Sequence, residues 1–114
     1  MLDEFRAKWL CEWCKKEMPG GCEAAHIFAR GMGSGGRLDI RVNLCALCRL
    51  CHQSAHDGNG PSQRDLVEVA ARREGVSPDD IEACIHALRR MKKKTPMEEV
   101  EALIPKRVKK PGVP

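Results

Sequence analysis

This 114-residue chain predicts a small α+β domain, a strand–loop–strand–helix core stapled by a metal with a helical extension behind it. Two cysteine pairs, Cys11-x2-Cys14 and Cys48-x2-Cys51, supply the staple. Two short apolar runs flank the glycine-rich stretch GMGSGG, which has the layout of a hairpin. Beyond Pro61 the apolar residues recur at helical spacing to about Ile104. Three segments follow: a stapled core with an N-terminal helix over 1–60, a helical extension over 61–104 and a basic flexible tail over 105–114.

Composition explains why a staple is expected. The chain has two Trp, two Phe and no Tyr, so its core has little aromatic mass to bury. Chains this short with thin cores usually add disulfides or a metal. The opening residues show no signal-like apolar run, and no stretch approaches membrane-spanning length. An intracellular, cytoplasmic setting without membrane contact is therefore expected, and in reducing conditions CxxC pairs point to metal rather than disulfide. The odd count of seven cysteines agrees. Net charge is +4, with basic clusters at Arg89, Arg90, Lys92, Lys93 and Lys94 and again after Pro105. Such clusters suit a polyanion such as DNA, and suit equally a solvated helix end.

In chain order, Leu2, Phe5, Trp9 and Leu10 have the spacing of a short amphipathic helix over Leu2–Leu10. KKEMPGG marks a turn. Cys22–Phe28 and Asn43–Cys48 are apolar enough for two paired strands, with Ala29–Val42 as the loop between them. Arg49–Asp57 is predicted as a helix that places His52 and His56 one turn apart on one face. Ser62–Glu74 is a second helix, stopped at Gly75. Ser77-Pro78-Asp79-Asp80 opens a third, with a cap, a first-turn proline and early acids, and it carries Ile81, Cys84, Ile85, Leu88 and Met91 as a core stripe. Thr95-Pro96-Met97-Glu98 opens a last helix, and the tail from Pro105 is expected to be disordered.

Four thiolates from two CxxC pairs can wrap one tetrahedral Zn²⁺. Cys45 leaves the register open, because Cys45-x2-Cys48 is also a CxxC. Cys48 and Cys51 are preferred, since Cys45 would lie within a strand. Free thiols, or an iron–sulfur run through Cys45, Cys48 and Cys51, are the competing readings, and the latter lacks the further cysteine that such runs carry. Cys22 and Cys84 are expected as small core residues. The second constellation is His26, Asn43, His52 and His56. His52 and His56 can ligate one divalent ion from one helix face, with His26 approaching from the first strand. Asn43 or a loop carbonyl would fix one ring nitrogen of His26 and leave the other as a base. The arrangement suits phosphodiester hydrolysis; a second zinc site or solvated histidines are the alternatives.

Cys11-x2-Cys14, Ala25-His26-Ile27, Arg30-Gly31, Asp39, Asn43-Leu44, Leu47-Cys48-x2-Cys51-His52 and His56 together resemble the zinc-containing HNH endonucleases of phages and bacteria. The resemblance spans about residues 9–58. It implies a ββα-metal (His-Me) fold that cuts DNA, often by nicking, with Mg²⁺, Mn²⁺ or a similar ion and a structural zinc. It makes His26 the general base, Asn43 its orienter, His52 a ligand of the catalytic metal and His56 a metal or phosphate contact. Arg30 becomes a phosphate contact, and products would carry 5′-phosphate and 3′-hydroxyl ends. One position departs: the family commonly carries Asp or His directly before the base, and here it is Ala25. Glu23, two residues back, is a substitute ligand. The competing function is a non-catalytic zinc-binding DNA-binding or regulatory module. A monomer and a dimer fit equally, and the sequence leaves the identity of any partner protein unknown.

Overall fold

A strand whose two faces are both apolar needs a layer on each side, and the segment Leu44–Leu47 is such a strand. The computed structural model describes residues 2–28, 39–90 and 97–105. In it, β1 (Glu23–His26) and β2 (Leu44–Leu47) form a two-stranded antiparallel sheet in which Ala25 faces Cys45 and His26 faces Leu44. Every residue of β2 is buried. Side chains alternate along it, so Leu44 and Ala46 pack with Phe5 and Cys22 on one side. Cys45 and Leu47 pack on the other side with the apolar stripes of two helices. Ala24 and Ala46 face each other across the sheet, and their short side chains leave room for the Phe5 ring.

That Phe5 side is closed by α1 (Leu2–Arg6), shorter than the Leu2–Leu10 helix expected from spacing. Trp9 and Leu10 are instead recruited into a small hairpin, where Leu10 bridges Glu17. The chain then returns to the sheet through Gly21, whose φ of +91° is open to glycine alone. A Cβ there would lie 2.1 Å from the carbonyl oxygen of Arg6, the same oxygen that accepts from Cys22 N–H.

The strands are also shorter than expected, because Ile27 and Phe28 leave the sheet. Pairing continues by other means: Ile27 N–H donates to the Asn43 carbonyl at 2.8 Å, and the Asn43 side chain holds both backbone groups of Phe28. Ahead of β2 the expected loop contains a 3-10 turn at Arg41–Asn43. Residues 29–38, with the whole glycine-rich stretch, lie outside the described residues.

α2 (Arg49–Asp57) has the bounds its sequence predicts. α3 (Gln63–Glu74) begins at a reciprocal capping box between Ser62 and Asp65 and ends at Gly75 in the left-handed conformation. α4 (Pro78–Arg90) buries Ile81, Cys84, Ile85 and Leu88, a stripe at helical spacing. α3 packs on the 3-10 turn, β2 and α4, while α4 packs also on α5 (Met97–Leu103). The helical extension therefore covers the second face of the hairpin. Among the described residues, no helix is long and apolar enough to cross a membrane. The expected disorder from Pro105 onward concerns residues 106–114, which lie outside the described residues.

Candidate metal centre and histidine cavity

The CxxC at Cys11 forms a tight knuckle. Cys11 N–H donates to the Lys16 carbonyl at 3.1 Å, and Lys15 N–H returns to the Cys11 carbonyl at 3.0 Å. Lys15 takes a left-handed φ of 65°, which turns the chain back after the second cysteine. The other CxxC is built by a helix end. Cys48 caps α2, and its sulfur accepts from Cys51 N–H at 3.4 Å. Cys14 N–H points at the Cys11 sulfur in the same way, at 3.5 Å.

These two knuckles bring Cys11, Cys14, Cys48 and Cys51 together, with all four sulfurs within 4.8 Å of one another. Cys14 Sγ and Cys48 Sγ are 3.8 Å apart. Sulfurs bound ~2.3 Å from a tetrahedral zinc stand ~3.8 Å from each other, so the spacing fits that ion. The local fields fit too. Burial alone would raise the Cys11 thiol, but backbone N–H groups of Cys48, Cys14 and Trp13 outweigh it and hold the thiol down at about 7. Cys51 is driven upward by burial and then by hydrogen bonds from its neighbouring cysteines. Four sulfurs this close cannot all be thiolates without a cation among them, and a metal supplies one. The four-cysteine cluster could therefore hold a structural metal such as zinc.

The register choice follows from strand alternation. Cys45 lies in β2, buried against α3, where its thiol donates to the Leu66 carbonyl at 3.6 Å. Burial pushes it up to about 12, and Cys84, buried in α4, to about 11. Cys22 is buried beside Phe5. All seven cysteines are free of disulfides.

The histidines converge from two elements. His26 at the end of β1 and His52 and His56 on α2 line one cavity of about 170 Å³, walled by Ala25, Leu47 and Leu66. His26 Nε2 lies 2.6 Å from Asp39 Oδ1, and His52 Nδ1 lies 2.8 Å from Glu23 Oε1. An ionised carboxylate only accepts, so each of these ring nitrogens is the one that donates, and in the neutral ring the opposite nitrogen carries the lone pair. In that form the free nitrogens are Nδ1 of His26 and Nε2 of His52. His52 and His56 lie ring against ring, 5.0 Å between centroids. At the base of the cavity, Gln63 Nε2 donates to the Ile27 carbonyl at 3.1 Å and fixes the strand end.

A scan of protein-family models and searches of curated proteins and of solved structures found no match to this chain.

Several positions differ from the arrangement the sequence suggested. The carboxylate that holds the His26 ring is Asp39, while the Asn43 side chain clamps Phe28 and so sets the strand end from which His26 projects. Glu23, expected as a substitute ligand, makes its contact behind His52. Among the described residues, the cysteine cluster is the one group of three or more potential ligands close enough to share an ion. Arg30, Lys92, Lys93 and Lys94 lie outside the described residues. Arg89 and Arg90 are exposed at the end of α4, with the Arg89 guanidinium 5.5 Å over the Phe28 ring.

A second feature had no signal in the sequence. Arg73 on α3 donates to both oxygens of Glu12 at 2.7 and 2.8 Å, to Glu74, and to the carbonyls of Arg41 and Leu44. Its guanidinium also lies 4.8 Å over the Phe5 ring. Arg41 grips Glu74 through two nitrogens and reaches Glu4. Glu12 sits between the two knuckle cysteines and accepts from Ala46 N–H at 2.8 Å. This network ties α3, the knuckle and β2 together.

Proposed function

We propose that the chain is a metal-dependent HNH DNA endonuclease of ββα-metal type, which hydrolyses phosphodiesters and leaves 5′-phosphate and 3′-hydroxyl ends. One observation carries the reading: His26, His52 and His56 face a single cavity, and the first two each have a carboxylate behind the ring. His26 Nδ1 would take a proton from water as its oxygen bonds to phosphorus and the P–O3′ bond breaks. Asp39 would keep the ring in the productive tautomer and balance the imidazolium that forms. His52, oriented by Glu23, and His56 would hold a divalent ion, with water and substrate phosphate completing an open coordination shell. Such an ion would stabilise the charge that develops on the phosphoryl and leaving oxygens. The cysteine-bound zinc would have no chemical step; it would hold α2 against the knuckle.

A second reading, a zinc-binding DNA-binding module without catalysis, is favoured by Ala25 at the position where a further ligand is expected. An end-labelled DNA duplex separates the two. Zinc-loaded protein in Mn²⁺ should yield ligatable 5′-phosphate products, and Ala25→Asp should cut faster. Protein that binds the duplex but yields no product with any divalent ion, as wild type or as Ala25→Asp, would sink the enzyme reading in favour of the module.

A further inference from the structure

Both tryptophans of the chain lie at the knuckle, and both face water: Trp9 is 67% exposed and Trp13 41%. A protein with so few aromatics to bury has placed its two largest outside the core. They line two adjoining hollows of about 320 and 490 Å³, which share Lys8, Glu12 and Lys15 as a common wall. Neither hollow shares a residue with the histidine cavity.

The charge around the rings is one-sided. Lys8 and Lys15 flank both hollows, and Arg72 on α3 closes the larger one beside Trp13. Lys15 and Arg72 are exposed and make no ion pair among the described residues. Glu12, the acid in the shared wall, is held by Arg73 and Ala46 N–H. Trp13 lies between two clasp cysteines, so a bound metal fixes its backbone and little order is lost on docking.

We propose that this knuckle face binds single-stranded nucleic acid, with Trp9 and Trp13 stacking on bases and Lys8, Lys15 and Arg72 contacting phosphates. Lys8 rests its ammonium 5.6 Å over the Phe5 ring, and exposed indoles beside the exposed cations Lys15 and Arg72 are what a flexible polyanion with aromatic bases requires. A base inside a duplex offers no open face to a tryptophan, so the strand must be single. A second copy of the chain is disfavoured, because it would bring the same cations against these. The proposal stands apart from the nuclease reading and needs no cut.

The test uses the tryptophans themselves, since no other side chain of this face absorbs there. Zinc-loaded protein, without Mg²⁺ or Mn²⁺, is titrated with a short oligo(dT), the matching duplex and polyglutamate while indole fluorescence is followed. Oligo(dT) should quench strongly and bind at least about ten-fold tighter than the duplex. Arg72→Glu, remote from the zinc ligands, should weaken binding several-fold and lower the salt slope by about one. Trp13→Ala, checked for retained zinc, should weaken it about ten-fold or more. Absence of quenching by oligo(dT) at low salt, equal affinity for duplex, or indifference to Arg72→Glu would overturn the proposal. Equal quenching by polyglutamate would overturn it in favour of an acidic protein partner.

Discussion

Arg73 stands at the centre of a network that joins it to Glu12 and Glu74 and, through Glu74, to Arg41. Its guanidinium is 15% exposed and serves two carboxylates and two carbonyls. Removing it strands those acceptors in a largely dry setting, the condition under which a broken ion pair is most destabilising. Arg73→Met is expected to cost about 3–5 kcal/mol in urea unfolding. Glu74 gives the network a pH signature. Burial would raise its carboxyl, but Arg41 and Arg73 together hold it below the ordinary 4.5. A depressed folded value means that its stabilisation is complete above the unfolded value and is lost as pH falls through the folded one. Thermal stability should therefore drop as pH falls below about 4.5, and Glu74→Gln should flatten that limb while lowering stability at neutral pH. None of this was legible in the sequence, because Arg73 meets Glu12 from 61 positions away. The histidines were legible, since His52 and His56 share a helix face by spacing alone. Their carboxylate partners were less so: Asp39 and Glu23 reach them only after β1 has paired with β2.

At the scale of elements, local chemistry decided the outcome wherever it was strong. α2 has its expected bounds because Cys48 caps one end and a glycine closes the other. α3 and α4 start where Ser62 and Ser77 predict. α1 is shorter than its apolar spacing suggests, because the knuckle claims Trp9 and Leu10 and leaves Phe5 as the helix's buried anchor. The ambiguity between Cys45 and Cys51 was resolved by the sheet: β2 turns Cys45 toward α3, away from the other sulfurs. Native mass spectrometry can check this directly. One zinc per chain is expected for wild type and for Cys45→Ser, and none for Cys48→Ser or Cys51→Ser. Loss of zinc from Cys45→Ser would move the clasp one register back.

Across the whole molecule, the sheet is sandwiched between Phe5 on one side and α3 with α4 on the other, and the clasp joins residues 11 and 14 to 48 and 51. The metal would thus tie the N-terminal knuckle to the helix that carries His52 and His56, while β1 and Asn43 carry His26 toward them. Chelation should loosen the α2 arm of the cavity, and cleavage should fail with it. That dependence makes the cleavage assay the most direct measurement. Supercoiled plasmid is incubated with zinc-loaded wild type and with His26→Ala in Mn²⁺ or Mg²⁺, with both proteins confirmed to hold one zinc. Open-circle product from wild type, reduced at least about 100-fold in His26→Ala, is the expected result. Equal nicking by both proteins, or none by either, would contradict it.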